Sequence, residues 1–330
     1  MEEVLPRLYR VVVPLPDNPL KEINSYILTS SDRNLIIDTG MNRPECREAL
    51  ERGLAAIGVD LARTDFMATH LHSDHQGLIP TLKSESSDAY MGARDAIQMK
   101  GGSGLGFAGG PMGEYAARSG FSEEELNTSL QEHPGHKYGP AGEVDYIHLR
   151  GDEILEVGDY RLVCVSTPGH TDGHMCLYEP EKKLLFSGDH VLGDITPNIQ
   201  AWSDENDPLD MYLKSLRKVV ELDVELCLPG HRSFITDFSG RVAELLEHHR
   251  VRANEVLDVL KGHPRNAYQT AAGMSWRIRA RSWDEFPIMQ KWFATGEAIA
   301  HLRYLEVKGL AQREEREGQI FYSSEGRARL

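Results

Sequence analysis

Short apolar runs alternate with polar turns over the first 80 residues, and this alternation predicts β-strands. The runs VVVPL, INSYILTS and NLIIDTG fit three strands, and DFMAT fits a fourth. Between the third and the fourth, Ala49, Leu50, Leu54 and Ile57 recur at helical spacing, and Gly58 suits the end of a helix. The N-terminal region is therefore predicted to mix strands with helices.

A second set of apolar runs begins near residue 144 and predicts further strands. These runs read VDYIHLR, EILEVG, YRLVCVSTPG, HMCLYEP and KLLFSGDHVLG; an amphipathic helix, DPLDMYLKSLRKVVEL, precedes a last strand, VELCLPGH. Residues 100–143 differ, because they are first glycine-rich and then acidic and helical. Since plain connections are shorter, we interpret this segment as an insertion or lid. The order of strands and helices places residues 1–239 in the α/β class.

The pattern changes beyond about Gly240. Helical runs, among them SGRVAELLEHHRVRANEVLDVLKG, are followed by two short β-prone runs around Gly318. Helices followed by a hairpin are the order of a winged-helix module. The charge changes at the same place, because the acidic excess lies in residues 1–239 and residues 240–330 have a small basic excess. We therefore predict a catalytic domain over 1–239 and a mostly helical, winged-helix-like domain over 240–330.

The composition adds that the protein is globular and acidic. Of its 330 residues, 40% are apolar and 26% are charged, and the net charge is −15, which argues against a surface that binds nucleic acid as a whole. No apolar run reaches the roughly 20 residues of a membrane helix, and MEEVLPRLYR lacks the features of a signal peptide, so we predict a cytoplasmic protein. The cysteines are isolated, which predicts buried thiols rather than disulfides or a thiolate zinc site. They are Cys46, Cys164, Cys176 and Cys227.

The densest chemical signal is the hexapeptide His70-Leu71-His72-Ser73-Asp74-His75. Three imidazoles and a carboxylate crowded at a strand end would repel one another or lose solvation unless a cation lies among them. On an extended segment His70 and His72 point the same way, while the following turn can send Asp74 and His75 elsewhere. The spacing therefore suggests two sets of metal ligands.

Three more candidate ligands follow apolar strands further along the chain: His170, Asp189 and His231. Each adjoins a glycine, which permits the sharp turn that presents a side chain at a strand end. Together with the four ligands of the hexapeptide they make seven, which is enough for a site with two divalent metal ions. Imidazole and carboxylate without thiolate favour Zn²⁺, with Mn²⁺ and Fe²⁺ as alternatives.

These motifs resemble, in this order along the chain, those of the metallo-β-lactamase superfamily of metal-dependent hydrolases. The quoted segments are the hexapeptide, Pro168-Gly169-His170-Thr171-x-Gly173-His174, Ser187-Gly188-Asp189 and Pro229-Gly230-His231. The resemblance covers about residues 7–239 and implies an αββα sandwich. It implies that His70, His72 and His170 bind a first metal. It further implies that Asp74, His75 and His231 bind a second, with Asp189 bridging the two.

The resemblance also points to residues around the ligands. Asp38, in NLIIDTG, matches an early Asp-x-Gly motif and is expected to support a ligand rather than bind metal. His174 and His190 adjoin ligand positions, which suits hydrogen bonding to a ligand or to substrate. Tyr138 lies in the predicted lid and is a candidate for substrate contact. The stretch 188–198 and the segment Glu297-Ala298-x-Ala300-His301-Leu302 are similar to the β-lactamase-like protein 2 branch of the superfamily.

Two cations held close together predict hydrolysis by a hydroxide that bridges them. Asp74 would help to orient the hydroxide and Asp189 would fix the spacing of the cations, so these two are the candidate catalytic residues. The favoured substrate is a small ester, thioester or lactone. A metal-dependent endoribonuclease or phosphodiesterase acting on single-stranded RNA is an alternative. A mononuclear iron persulfide dioxygenase is a further alternative, against which the complete ligand set counts.

The expected partners are a small-molecule substrate and, through the C-terminal region, a protein surface. Nucleic acid is not favoured, because the basic excess of residues 240–330 is small and a solvated face explains the run of Arg277, Arg279 and Arg281. No membrane partner is expected. The tail is rich in aromatic side chains, which predicts domain docking or a homodimer. They are Trp276, Trp283, Trp292 and Phe293.

Overall fold

The computed structural model describes residues 1–100, 110–325 and 329–330. Residues 101–109, the glycine-rich part of the predicted lid, lie outside the described residues. The chain folds as two compact units. The first takes the described residues within 1–104, 137–197 and 215–242, and the second takes those within 105–136, 198–214 and 243–330. None of the described helices combines the length and the apolar character needed to cross a lipid bilayer.

The first unit contains a seven-stranded sheet whose strands lie in chain order. Its strands are β1 (Glu2–Leu5), β2 (Leu8–Pro14), β3 (Glu22–Leu28), β4 (Asn34–Ile37), β5 (Thr64–Met67), β6 (Ala89–Gly92) and β7 (Ile147–Leu149). The first four strands pair antiparallel and the last four pair parallel. The pattern of apolar residues did not predict β1, because this four-residue edge strand is exposed or only half-buried.

A second sheet of five strands has the order β12-β11-β10-β9-β8. Its strands are β8 (Ile154–Val157), β9 (Tyr160–Ser166), β10 (Met175–Glu179), β11 (Leu184–Gly188) and β12 (Leu226–Pro229). All pairs are antiparallel except β11 with β12, which are parallel with Phe186 opposite Leu228. This parallel pairing brings the ends of two strands, and the loops that follow them, side by side.

One apolar core of the first unit lies between the two sheets. Leu35 and Ile37 of β4 pack there with Phe186 of β11, whereas Ile36 points to the opposite face and packs with Leu50 of a helix. Because successive side chains of a strand alternate, a strand buried on both faces reads as a continuous apolar run, as NLII does. The first sheet is thus covered on one face by the second sheet and on the other by helices.

The helices α1 (Pro44–Ala56), α2 (Ser73–Gln76), α3 (Ile79–Leu82) and α4 (Ala93–Lys100) belong to the first unit. Helix α1 has Pro44 at its first position, where a missing N–H costs nothing, and buries Cys46, Leu50 and Leu54 along one stripe. The predicted α1 is confirmed with its apolar face. Helices α5 (Pro111–Arg118) and α6 (Glu123–Glu132) belong to the second unit, and α7 (Pro134–Lys137), α8 (Pro208–Val219) and α9 (Phe238–Val259) have residues in both.

The second unit also contains α10 (Ala267–Gly273), α11 (Ile288–Val307) and a hairpin of β13 (Gln312–Arg316) and β14 (Gln319–Ser323). The order of helices followed by a hairpin matches the pattern predicted from the sequence. Helices α5 and α6, which lie in the predicted lid, pack here with the C-terminal helices: Ala116 of α5 and Leu130 of α6 share a core cluster with Trp292 of α11. The domain limits predicted near Gly240 stay a prediction.

The aromatic residues of the tail do not form an exposed cluster. Trp292 is buried and stacks on Trp202 with ring centroids 4.1 Å apart. Trp283 contacts Tyr268 edge-on, and Phe293 lies beside His133 at 6.0 Å. Each of these rings packs against another ring of the second unit, so their presence gives no argument for a partner. The homodimer stays a prediction without this support.

Truncation of Phe186 tests the core between the sheets. This side chain is 1% exposed and meets the ring of Tyr26 edge-on at 5.4 Å. Phe186→Ala is expected to lower the free energy of unfolding by about 3–5 kcal/mol, because burial is lost and a cavity is left. Val12→Thr is the control, since Val12 is 38% exposed, and it should change the value by less than about 0.5 kcal/mol. Urea unfolding followed by circular dichroism measures both; equal effects would contradict this packing.

Candidate metal centre

The predicted ligands all lie where strands of the first unit end. His70 and His72 follow β5, and the short helix α2 carries Asp74 and His75. The other three follow strands of the second sheet: His170 comes after β9, Asp189 directly after β11 and His231 after β12. Strand ends from both sheets therefore meet at one edge of the sandwich and bring together residues up to 161 positions apart in the chain.

Three imidazoles form the first group of ligand atoms. The Nε2 atom of His70 lies 2.8 Å from Nδ1 of His72, and Nε2 of His170 lies 3.0 Å from the same Nδ1. Their ligand atoms all lie within 4.8 Å of one another, a spacing that fits a single metal ion. The sequence prediction that these three side chains cluster agrees with this geometry.

A second group is formed by Asp74, His75 and His231, again with ligand atoms within 4.8 Å of one another. Nε2 of His231 lies 3.4 Å from Oδ2 of Asp74, and Nε2 of His75 lies 3.9 Å from the same oxygen. One carboxylate and two imidazoles thus face a common point.

Asp189 lies between the two groups. Its Oδ1 is 3.5 Å from Nε2 of His75 and 3.5 Å from Nε2 of His231, while its Oδ2 is 3.7 Å from Nε2 of His170. One oxygen thus faces the second group and the other faces the first. This is the arrangement that a bridging carboxylate needs.

The donor atoms fit divalent metal ions. Nε2 of His75, Nε2 of His231 and Oδ1 of Asp189 are buried and have no hydrogen-bond partner among the described residues. Buried polar atoms are normally paired, so three that converge on one place need an external partner. Imidazole nitrogens and carboxylate oxygens are ligands of zinc and related cations. The residues therefore suit a metal centre rather than a closed hydrogen-bond network.

Burial and mutual contact set the charges of the ligands. Burial, helped by the neighbouring imidazoles, lowers the pKa of His70 well below its usual value, and burial lowers the pKa of His72 to about 3. Burial alone would raise the pKa of Asp74, but the imidazoles of His75 and His231 outweigh it and bring the pKa to about 2. His70 and His72 are therefore neutral and their nitrogens are ready to bind metal, while the second group contains a carboxylate that stays ionised.

The pKa values of His75 and Asp189 shift in opposite directions through their contact. Burial lowers the pKa of His75, but the carboxylates of Asp38, Asp189 and Asp74 outweigh burial and raise it well above its usual value. Burial raises the pKa of Asp189, yet His231 and His75 hold it well below the usual range of a carboxyl. Positive charge is thus favoured next to Asp189, which is the condition that a bound cation would meet.

Asp38 orients His75 from behind. Its Oδ2 lies 2.8 Å from Nδ1 of His75, and its Oδ1 accepts a hydrogen bond from the backbone N–H of Thr69 at 2.8 Å. With Nδ1 held by Asp38, Nε2 of His75 is left to face the other ligands. A carboxylate behind a ligating imidazole fixes the ring and raises its basicity. Asp38 has a φ of 58°, so the backbone adopts the left-handed region that Asp and Asn tolerate best.

Two threonines, which the sequence analysis did not single out, complete the support. The hydroxyl of Thr69 contacts Oδ2 of Asp38 at 2.9 Å and Nδ1 of His70 at 3.1 Å. The hydroxyl of Thr167 lies 2.8 Å from Nδ1 of His174. Threonine next to a strand end carries no motif signal of its own. For Thr69, its position directly before the histidine-rich hexapeptide was the one available clue.

The remaining candidates have distinct surroundings. His174 accepts a hydrogen bond at Nε2 from the backbone N–H of Asp189 at 3.2 Å, so it supports the loop that carries this ligand. A Cβ on Gly188 would lie 2.8 Å from that Nε2, and its φ is 48°, so glycine is required beside it. His190 is buried with its ring 5.9 Å from that of His174. Tyr138 contacts Asn42 and Arg43, with the guanidinium 5.0 Å from its ring, rather than a ligand.

Comparison with known proteins identifies the family. The sequence profile of the metallo-β-lactamase superfamily matches residues 19–231, and that of a metallo-β-lactamase-like C-terminal domain matches residues 253–324. Because the first match covers more than half of the chain, the chain belongs to the metallo-β-lactamase superfamily. The resemblance and the sandwich fold predicted from it are confirmed, and the protein is a metal-dependent hydrolase.

Two relatives and one crystal structure are similar to most of the chain. The chain is 26% identical to the Beta-lactamase-like protein 2 homolog of Caenorhabditis elegans, over 82% of this chain and 78% of the relative. It is 24% identical to the Atrochrysone carboxyl ACP thioesterase nsrC of Aspergillus novofumigatus, over 81% of this chain and 66% of the relative. A crystal structure of a metallo-β-lactamase family protein from Thermus thermophilus matches with a TM-score of 0.80 and 28% identity, covering 97% of this chain and 99% of that one.

The carboxylate behind His75 can be tested by Asp38→Asn. An amide keeps the left-handed backbone but loses the negative charge, so zinc affinity is expected to fall by about 10–100-fold. Asp17→Asn is the matched control, because Asp17 also has a positive φ, 60°, and is exposed. Competition with a chromophoric chelator measures both variants. Unchanged affinity in Asp38→Asn would contradict the supporting role.

Proposed function

We propose that the protein is a binuclear metal-dependent hydrolase that cleaves a small thioester, ester or lactone. The observation that carries the proposal is the position of Asp189, whose two carboxylate oxygens face two different groups of ligands. A site for one metal would need one group. Two groups sharing a carboxylate favour two metals at a fixed spacing.

The first metal would be held by His70, His72 and His170. The second would be held by Asp74, His75 and His231, with Asp189 shared. Zinc is the proposed metal because the donors are imidazoles and carboxylates. Divalent metals supply Lewis acidity toward a carbonyl oxygen and make water acidic enough to attack near neutral pH.

The residues of the chain contribute orientation and charge. Asp74 stays ionised, since its pKa is about 2, so its carboxylate can accept a hydrogen bond from the attacking water and orient it. Asp189 fixes the spacing of the two groups, while His174 holds the backbone N–H of Asp189 in place at 3.2 Å. Asp38 keeps Nε2 of His75 turned toward the centre. Hydrolysis then needs no side-chain nucleophile.

The burial of the four cysteine thiols supports direct attack by water. All four thiols are buried, and burial raises the pKa of Cys164 and of Cys176 to about 12. A thiol with so high a pKa is a poor nucleophile at neutral pH. A covalent thiol route is therefore not favoured.

One relative is named an Atrochrysone carboxyl ACP thioesterase, which supports a thioester as the substrate class. A thioester carbonyl can be attacked by water in the same way as that of an ester or a lactone. We therefore place thioesters first among the candidate substrates, with a small-molecule acyl group as the part that the site recognises.

Cleavage of single-stranded RNA is the second candidate, and one observation favours it. Arg277, Arg279 and Arg281 are all exposed, and they alternate with the half-buried Trp276 and Ile278. Such a row of cations with interleaved apolar side chains suits a phosphate backbone. This candidate predicts cleavage that weakens steeply as salt rises, whereas acyl hydrolysis does not depend on salt in this way.

A parallel screen distinguishes the two candidates. Zinc-loaded and manganese-loaded protein would be given an acyl-N-acetylcysteamine thioester, a lactone, bis(p-nitrophenyl) phosphate and a short single-stranded RNA. The proposal predicts release of free thiol from the thioester at a rate that changes little between 50 and 200 mM salt. Cleavage of RNA without acyl hydrolysis would overturn it in favour of the nuclease.

Loss of a ligand should remove activity and metal together. His70→Ala and Asp189→Ala are expected to reduce kcat/KM by more than the roughly 10–100-fold that loss of an outer partner costs. Metal content per chain should fall in the same variants. His263→Ala and Asp194→Ala are the controls, because both side chains are exposed and lie outside the ligand groups. Full activity in a variant that has lost its metal would refute the mechanism.

A further inference from the structure

Asp95 is a buried carboxylate that no motif singled out. It lies in the first turn of α4, directly after β6, and its exposed fraction is 0%. It is not among the groups of ligand atoms found in the described residues. A carboxylate removed from water must be compensated by hydrogen bonds or by a cation, so its partners show what it does.

Three donors surround the carboxylate. Its Oδ2 accepts from the backbone N–H of Leu71 at 3.0 Å and from the hydroxyl of Thr171 at 2.7 Å. Its Oδ1 accepts from the backbone N–H of Gly173 at 2.6 Å. Burial nevertheless raises the pKa of Asp95 to about 6. The three hydrogen bonds hold the carboxylate, and their donors lie in two different loops.

Both loops carry ligands of the first group. Leu71 lies between His70 and His72, and Thr171 directly follows His170. The two loops are about 100 residues apart in the chain and follow strands of different sheets. A single carboxylate therefore joins the backbone of one loop to the backbone of the other.

The junction has little freedom to relax. A Cβ on Gly92 would lie 1.8 Å from the carbonyl oxygen of Gly173, and a Cβ on Gly173 would lie 2.4 Å from the backbone nitrogen of Asp95. Only glycine allows so close an approach of two backbones. The start of α4 and the loop after His170 are therefore packed at backbone contact, and small shifts of the carboxylate would be passed on to the loops.

We propose that Asp95 is a positioning residue that sets the distance between the His70–His72 loop and the His170 loop, and so the affinity of the first group for metal. The proposal rests on the metal centre of the proposed function. Asp74 and His75 of the second group follow the same loop, but the second group has supports of its own: Nδ1 of His75 lies 2.8 Å from Oδ2 of Asp38, and Nδ1 of His231 lies 2.6 Å from the carbonyl oxygen of Glu22. A change at Asp95 should therefore weaken metal binding by the first group more than metal binding by the second.

Asp95→Asn keeps the size of the side chain but replaces one of the two oxygens that accept backbone N–H groups. Each carboxylate oxygen accepts a backbone N–H, but an amide offers one oxygen and one NH₂ group. Either Leu71 or Gly173 then faces a donor, and the spacing of the loops must change. Glu153→Gln is a matched control, because Glu153 likewise accepts backbone N–H groups with both oxygens, from Arg150 at 2.8 Å and from Gly151 at 2.7 Å, and neither residue lies in a loop that carries a ligand.

The test measures metal affinity in two backgrounds that isolate the groups. His231→Ala leaves the first group intact, and His72→Ala leaves the second intact. In the His231→Ala background, Asp95→Asn is expected to weaken zinc binding by about 10–100-fold, the usual effect of losing an outer partner. In the His72→Ala background it should change the affinity by less than about threefold. Glu153→Gln should change neither by more than that. Chelator competition gives all of these values.

Thr171→Val gives a second variant that keeps the carboxylate. It removes one of the three donors, so zinc binding is expected to weaken, but less than in Asp95→Asn. This weakening should be confined to the His231→Ala background. Equal weakening in both backgrounds, or no weakening of the first group in either variant, would overturn the proposal. The measurement needs no substrate, so it separates this inference from the choice of reaction: a protein that binds metal as described but hydrolyses no thioester would refute the proposed function alone.

Discussion

The structure depends on the way in which buried carboxylates and imidazoles are compensated at one edge of a sandwich. Asp189 lies between two groups of ligand atoms and holds an oxygen toward each, although it is almost fully buried. Bringing so many polar groups out of water is costly unless a partner replaces the lost solvation. Divalent cations would do so, and this requirement explains why Nε2 of His75, Nε2 of His231 and Oδ1 of Asp189 lie together without a hydrogen-bond partner among the described residues.

The fold meets this requirement through the ends of its strands. Two sheets pack face to face, and strands of both sheets end at the same edge, where the segment after β5 presents four ligands and the loops after β9, β11 and β12 present one each. The ligands are then fixed from behind by Asp38, Thr69 and His174. A rigid frame of this kind keeps the ligands in place before metal binds, which lowers the cost of assembling the site.

Much of this could be predicted from the sequence, because the signals were local. Apolar runs such as NLII indicate buried strands, and three histidines within six residues indicate a candidate metal site. Asp95 and Thr167 could not be found in this way, since their partners lie far away in the chain and neither belongs to a motif. The tail is a similar case: its aromatic residues could be recognised as apolar anchors, but their partner could not, because Trp202, on which Trp292 stacks, lies in a distant segment of the chain.

The proposed binuclear centre can be tested directly by the anomalous diffraction of zinc-loaded crystals, recorded on both sides of the zinc absorption edge. Two anomalous peaks are expected in each chain, one on either side of the Asp189 carboxylate, the first contacted by three imidazoles and the second by Asp74, His75 and His231. A single peak in fully loaded crystals, or two peaks away from Asp189, would contradict the binuclear centre.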